Sequence, residues 1–236
     1  GRVGRVGLSK EQEAALGLQS FRQVLSESRV IESGPEVEMV RRVAQRLVRV
    51  VDEGARDFEW SVAVVKSDQV NAFCLPGGKI VVFTGILPVA KNDAGLATVM
   101  GHEIAHATSR HGAQRVFKQE ALQIAMQGAA VSMADMDYEQ RRLLLGALGA
   151  GAQYGLVLPF SRDDELEADA IGLMYMARAG YDPRESVAFW ERMADSMRGQ
   201  KPPEFMSTHP GDETRIERLG RLMPRALEEY QKAAGR

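Results

Sequence analysis

Apolar positions along most of this chain recur at helical spacing. From Ser9, a suitable helix N-cap, to about residue 27, and again over 35–51, hydrophobic residues return every three or four positions. In the second stretch Val37, Val40, Ala44, Leu47 and Val51 form an inward stripe. Arg41, Arg42, Arg46 and Arg49 fall mostly on other faces, as solvated charges with an anionic membrane surface as the alternative contact. Between residues 58 and 84 the period shortens. Ser61–Val65, residues 70–74 and Lys79–Phe83 are β-rich runs parted by short polar or Pro-Gly-Gly segments, which predicts a small antiparallel meander. An edge strand near 79–84 could hold an extended peptide by backbone pairing.

A more apolar helix is expected next, from an N-cap at Asp93, with Leu96, Val99, Met100, Ile104 and Ala107 as its stripe. Helices follow over about 114–133, 139–157, 162–179 and 183–197, with Gly180 ending the third and Pro183 opening the fourth. After the Pro-containing loop 201–211, Asp212 caps a last helix to about residue 230. The fold class is therefore α+β: mostly helical, with a small antiparallel sheet preceding the helix of residues 93–107.

A chain of 236 residues with 44% hydrophobic and 26% charged positions fits a soluble domain with one buried core. We expect a flexible tail over residues 1–8 and a single domain over 9–236. The chain lacks an initial Met and reads as a mature or trimmed form, with a preceding signal peptide or lipid-bearing Cys left open. The net charge of −2 argues against a nucleic-acid surface. A single cysteine, Cys74, excludes an internal disulfide and reads as a small apolar strand residue. Residues 143–160 carry no charge, the lower limit for a membrane span, but glycines, Gln153 and Pro159 interrupt them. A close-packed hairpin is favoured there, with membrane contact or a mobile cover of the site as alternatives.

The densest chemistry lies inside the apolar helix, at His102-Glu103-Ile104-Ala105-His106. Residues four apart stack on one helix face, so both imidazoles can grip one ion. This is the H-E-x-x-H arrangement, in which the histidines bind zinc and Glu103 acts as general base on a metal-bound water nucleophile. With only four histidines in the chain, a chance occurrence is rare.

Catalytic zinc needs a third protein ligand. His111 falls one residue short of the spacing of a third helical histidine, and position 112 is Gly112. His111 is expected to close the active helix instead. Glu165 is the better ligand: Glu165 and Asp169 share one helix face, flanked by the small residues Ala168 and Gly172, which let another helix approach. Glu167, two positions round, is expected to be solvated. Asp169 would accept the free N–H of a ligating histidine and orient it. His209 is open between a removable fourth ligand, a donor to the oxyanion, and a residue of a capping turn. Arg215 is open between a partner for an acidic residue near the site and surface charge.

With Asn71-Ala72-Phe73, Pro76-Gly77-Gly78, Thr84-Gly85 and Thr208-His209-Pro210, these motifs make the chain resemble gluzincin metallopeptidase family forty-eight over roughly residues 60–220. That family holds HtpX, the CAAX prenyl endopeptidases, BepA, LoiP and the Oma-type zinc endopeptidases. The resemblance implies a zincin-like endopeptidase with one Zn²⁺ per chain on His102, His106 and Glu165, and Glu103 as catalytic base. It implies polypeptide substrates, unfolded or misassembled, and a bacterial periplasm or membrane-associated envelope as the setting. The rival is a zinc-stabilised, chaperone-like binding protein in which His209 closes the metal site. A prenyl-protein protease would need more membrane helices than this chain has.

Overall fold

The computed structural model describes residues 8–118, 135–150, 159–199, 203–211 and 213–235. Ser9 and Gln12 exchange side chain to backbone hydrogen bonds in a capping box that starts α1 (Lys10–Ser26) at the expected point. Leu8, assigned to the tail by its sequence, is buried, and its carbonyl accepts from Arg110 at 3.0 Å. Pro35 opens α2 (Pro35–Val48), which buries Val37, Val40, Val43, Ala44 and Leu47; it ends three residues before the expected point, so Val51 is buried in the turn beyond it.

Four strands form the sheet: β1 (Val30–Ile31), β2 (Ser61–Val65), β3 (Ala72–Leu75) and β4 (Lys79–Phe83), in the order β1-β2-β4-β3. The antiparallel meander is corrected in two respects. β2 and β4 run parallel, so the sheet is mixed, and β4 is an inner strand, paired to β2 on one side and to β3 on the other. Residues 79–84 therefore do not supply the edge; β3 does. Every residue of β3 and of β4 is buried, so both faces of the sheet are covered there. An uninterrupted apolar run belongs to a strand covered on both faces. The turn at Gly77 and Gly78, both at positive φ, folds β3 back along β4 and leaves β2 to pair on the far side. Period 2 still sorts the faces. Val64, Cys74, Ile80 and Val82 join one core, and Val65, Phe73, Leu75, Val81 and Phe83 the other.

After the short α3 (Leu87–Ala90), α4 (Asp93–Thr108) passes through the middle of the first core, buried at every position from Gly95 to Ala107. Its N-cap is Asn92, not Asp93: Asn92 accepts from the Gly95 N–H, while Asp93 pairs with Arg42 at 2.7 Å. A break at Arg110, at φ 61°, separates α4 from α5 (His111–Lys118). The remaining helices are α6 (Tyr138–Leu145), running on into a π turn at Gly146–Ala150, α7 (Arg162–Arg178), α8 (Glu185–Ser196), α9 (Glu204–Thr208) and α10 (Glu213–Ala234). The rest of the helix expected over 114–133, residues 151–158 of the hairpin expected within 143–160, and the cap at Asp212 lie outside the described residues. Among the described residues no helix is long and apolar enough to cross a membrane.

The contact that sets up the site is α4 against α7. A Cβ on Gly172 would stand 2.8 Å from the His102 nitrogen and 2.9 Å from the Gly101 carbonyl carbon. Only glycine lets the two backbones approach this closely, and Glu165 is thereby carried up to the histidine pair.

Candidate metal centre

His102 and His106, one turn apart on α4, bring their Nε2 atoms to within 3.1 Å of each other. Ser161 caps α7 in a second capping box, and Glu165 in the first turn of that helix points at the pair. Its Oε1 is 3.2 Å from His106 Nε2 and its Oε2 is 3.4 Å from His102 Nε2. His209 follows α9, with Nδ1 2.8 Å from Glu165 Oε1 and 3.2 Å from His102 Nε2. One donor atom from each of these four residues lies within 4.8 Å of the others, and all four side chains are buried. Three of the four are residues the sequence reading placed on a metal, and the fourth is the histidine it left open.

The donor chemistry fits a cation. Asp169 Oδ1, 2.9 Å from His102 Nδ1, draws the ring proton to that side and leaves a lone pair on Nε2, as expected of Asp169. Lone pairs of three imidazoles and a carboxylate then converge in a dry pocket, which is costly without a positive charge between them. Glu103 Oε1 and His209 Nε2, 3.2 Å apart, are buried without a directed hydrogen bond, and so is Glu165 Oε2, with the charge of Arg215 beside it. Three nitrogens and one carboxylate oxygen suit tetrahedral zinc.

Protonation follows the same logic. Burial pushes the Glu165 carboxyl up, but His209 and His102 outweigh it and hold the group well below its ordinary range. Burial takes His106 well below the usual histidine value. A carboxylate and a neutral imidazole are the states a metal ligand requires. Burial also opposes charge on His102, yet Glu165 and Asp169 raise it to about 9, so without a cation in the site His102 carries a proton on Nε2 that a bound metal would have to replace. Glu103 stands apart from the donor set, its Oε1 4.0 Å from His102 Nε2 and 3.2 Å from His209 Nε2. Burial raises its carboxyl, offset in part by His209 and His102 and by a hydrogen bond from the Cys74 backbone. Cys74 of β3 and Glu103 line the same small cavity.

Of its two readings, Arg215 takes the buried one. From α10 its guanidinium forks onto Asp169, Nε to Oδ2 at 2.6 Å and Nη2 to Oδ1 at 2.8 Å. Nη1 lies 2.9 Å from Glu165 Oε2 and donates to the Pro210 carbonyl at 3.2 Å. One cation thus steadies two carboxylates of the site and the backbone beside His209.

Two expectations need correction. His111 does not close α4; it opens α5 after the Arg110 break, with its ring buried and Nδ1 2.9 Å from His106 Nδ1. Glu167 is only 25% exposed and approaches His111 Nε2 at 3.4 Å, so it is not a merely solvated charge. The periodicity argument treats α4 as running on past residue 108 and so turns His111 away from its neighbour. Phe160 and Arg115 were missed altogether. Phe160 stacks on the His106 ring at 4.0 Å, and the Arg115 guanidinium lies over the Phe160 ring at 3.6 Å. No motif marks either residue.

A family model, Peptidase family M48, matches residues 36–223. The mitochondrial metalloendopeptidase OMA1 of Schizosaccharomyces pombe is 38% identical over 224 residues, 93% of this chain and 63% of that protein. OMA1 of Saccharomyces cerevisiae is 31% identical over 245 residues, 97% of this chain and 68% of that protein. The beta-barrel assembly-enhancing protease of Escherichia coli is 30% identical over 213 residues, 89% of this chain and 43% of that protein. The chain thus spans between about two fifths and two thirds of these relatives. With the H-E-x-x-H pair and Glu165 brought together as the motifs required, the chain belongs to peptidase family M48.

Proposed function

We propose that this protein is a zinc-dependent endopeptidase that cleaves internal bonds of unfolded or misassembled polypeptides, and that His209 keeps it latent. The observation that carries this reading is a buried carboxylate, Glu103, beside a complete His102, His106 and Glu165 donor set but outside it. A zinc ion held there supplies Lewis acidity to the scissile carbonyl and acidifies the attacking water. Glu103 takes the water's proton and returns it to the leaving amine; its raised pKa moves it toward the range a base that must also act as an acid requires. Asp169 and Arg215 hold His102 and Glu165 in place. An extended substrate pairs with β3, whose Cys74 amide already touches Glu103, and not with the inner strand β4. A bacterial envelope setting is supported by the likeness to the E. coli relative; the OMA1 relatives are mitochondrial.

A second reading, a zinc-stabilised binding module, draws on the burial of His209 within the donor set. It gives no account of Glu103, whose burial with an oxygen that makes no directed hydrogen bond is a cost that a closed structural site has no use for.

Casein cleavage, with zinc content measured on the same samples, separates the two. Zinc-loaded wild type is expected to cleave slowly and His209→Ala faster. Glu103→Gln should lose roughly 10²-fold or more while keeping its zinc. Zinc retained by wild type and His209→Ala with no cleavage by either would favour the binding module.

A further inference from the structure

His106 has a second buried histidine behind it. His111 Nδ1 lies 2.9 Å from His106 Nδ1, and the two rings meet nearly edge to face, at 74°. Two ring nitrogens at this distance share one proton, so one donates and the other accepts. Were His111 the donor, a neutral His106 would carry its own proton on Nε2. That proton would point at His102 Nε2, 3.1 Å away, and at Glu165 Oε1, 3.2 Å away, and would take the lone pair out of the donor set. Were His106 the donor, His111 would carry its proton on Nε2. That nitrogen faces two carboxylates, Glu167 Oε2 at 3.4 Å and Asp164 Oδ1 at 3.8 Å. The acidic pair on α7 therefore selects the second arrangement.

We propose that His111 is a positioning residue: anchored by Glu167, it accepts the Nδ1 proton of His106 and so turns the Nε2 lone pair of His106 into the metal site. This rests on the reading of His102, His106 and Glu165 as zinc ligands. His102 and His106 are then held in the same way from opposite sides, the first by Asp169 directly and the second by Glu167 through an intervening imidazole. The sense of both bonds is alike, with each ligand donating from Nδ1 and facing the ion with Nε2. It also gives a role to the turn at Arg110, since a continuous helix would not bring residue 111 behind residue 106.

The test is zinc affinity by chelator competition on wild type, His111→Leu, His111→Asn and Glu167→Ala, with ¹⁵N-histidine NMR on the zinc-loaded wild type. The Leu variant should bind zinc roughly 10–100-fold more weakly. Asn, whose Oδ1 stands where Nδ1 stood, should recover most of that loss. Glu167→Ala should keep its zinc in a metal-content assay yet bind up to about tenfold more weakly. The spectrum should show His106 protonated at Nδ1 and His111 at Nε2. A His111 protonated at Nδ1, or a folded Leu variant with wild-type affinity, would overturn the relay while leaving the zinc site standing. If the Leu variant does not fold, the wild-type spectrum and the Asn variant still decide. A wild type without tight zinc would remove the underlying reading and the relay with it.

Discussion

Two regions meet at the donor set, and they are built differently. Beneath it, α4 and α7 lie backbone to backbone at Gly101 and Gly172, and His102, His106, Glu165 and Asp169 ride on helices whose inner faces are fully buried. Above it, His209 sits in the short segment 203–211, whose Phe205, Met206 and Thr208 are buried. Phe205 donates to the Val70 carbonyl at 3.0 Å, Phe160 to Thr208 at 2.9 Å, and the His209 ring stacks on Phe205 at 4.3 Å. The lower ligands ride on long helices packed backbone to backbone, whereas the upper one follows the five-residue α9, so its release needs Phe205 and Met206 to leave the core but not α4 and α7 to separate. Three donors on long packed helices and one on a short segment fit the proposed exchange of His209 for substrate.

The strongest challenge to this contrast is Arg215→Met. It leaves Asp169 and part of Glu165 as buried charges without their cation, and a loss of about 3–5 kcal/mol in urea unfolding is expected. The pH dependence carries a sign. Burial would raise the Asp169 carboxyl, but Arg215 overcomes this and holds it below its ordinary value. Its contribution is therefore present above the unfolded value of about 4 and lost as the pH falls through the depressed folded value. The gap between wild type and Arg215→Met should be widest near neutral pH and close on acidification. Equal stabilities at neutral pH would mean that α10 does not lock the lower region.

Gly172→Ala tests the same region by sterics alone. A methyl group there enters the space of the His102 nitrogen and the Gly101 carbonyl carbon, and α7 must back away. Overpacking of this kind costs about 1–3 kcal/mol. Because Glu165 moves with α7, zinc affinity should fall together with the unfolding midpoint. A stable variant with wild-type affinity would show that the Gly101–Gly172 approach does not set the ligand spacing.

Legibility in the sequence divides along the same line. The lower region could be read because its chemistry is local: His102 and His106 are one turn apart, as are Glu165 and Asp169, and helical period fixes each pair on one face. The small residues Ala168 and Gly172 even pointed to the close approach of helices. What could not be read depends on contacts distant in sequence. The parallel pairing of β2 with β4 joins strands 18 positions apart, on the side of β4 that the turn at Gly77 and Gly78 leaves free, and Arg215 reaches Asp169 across 46 positions. His111 was misplaced through the positive φ at Arg110, which no glycine announces. His209 stayed open because its approach depends on how residues 203–211 dock on Val70, a tertiary contact without a period.

That docking gives the smallest effect and the finest test of the upper region. Glu204 Oε2 accepts from the Val70 N–H at 3.1 Å, just before β3 begins, and ties the start of α9 to the strand beside Glu103. In Glu204→Gln an acceptor remains and the charge is lost, so the bond weakens without disappearing. Urea unfolding should register a change of under about 1 kcal/mol. The same energy acting on release of the cover would raise the open fraction about two- to fivefold, and casein cleavage by Glu204→Gln should rise between wild type and His209→Ala. If cleavage stays at the wild-type rate while His209→Ala is several-fold faster, the His209 ring alone holds the enzyme back. The two regions would then differ by one ligand and not by how firmly the segment carrying it is held.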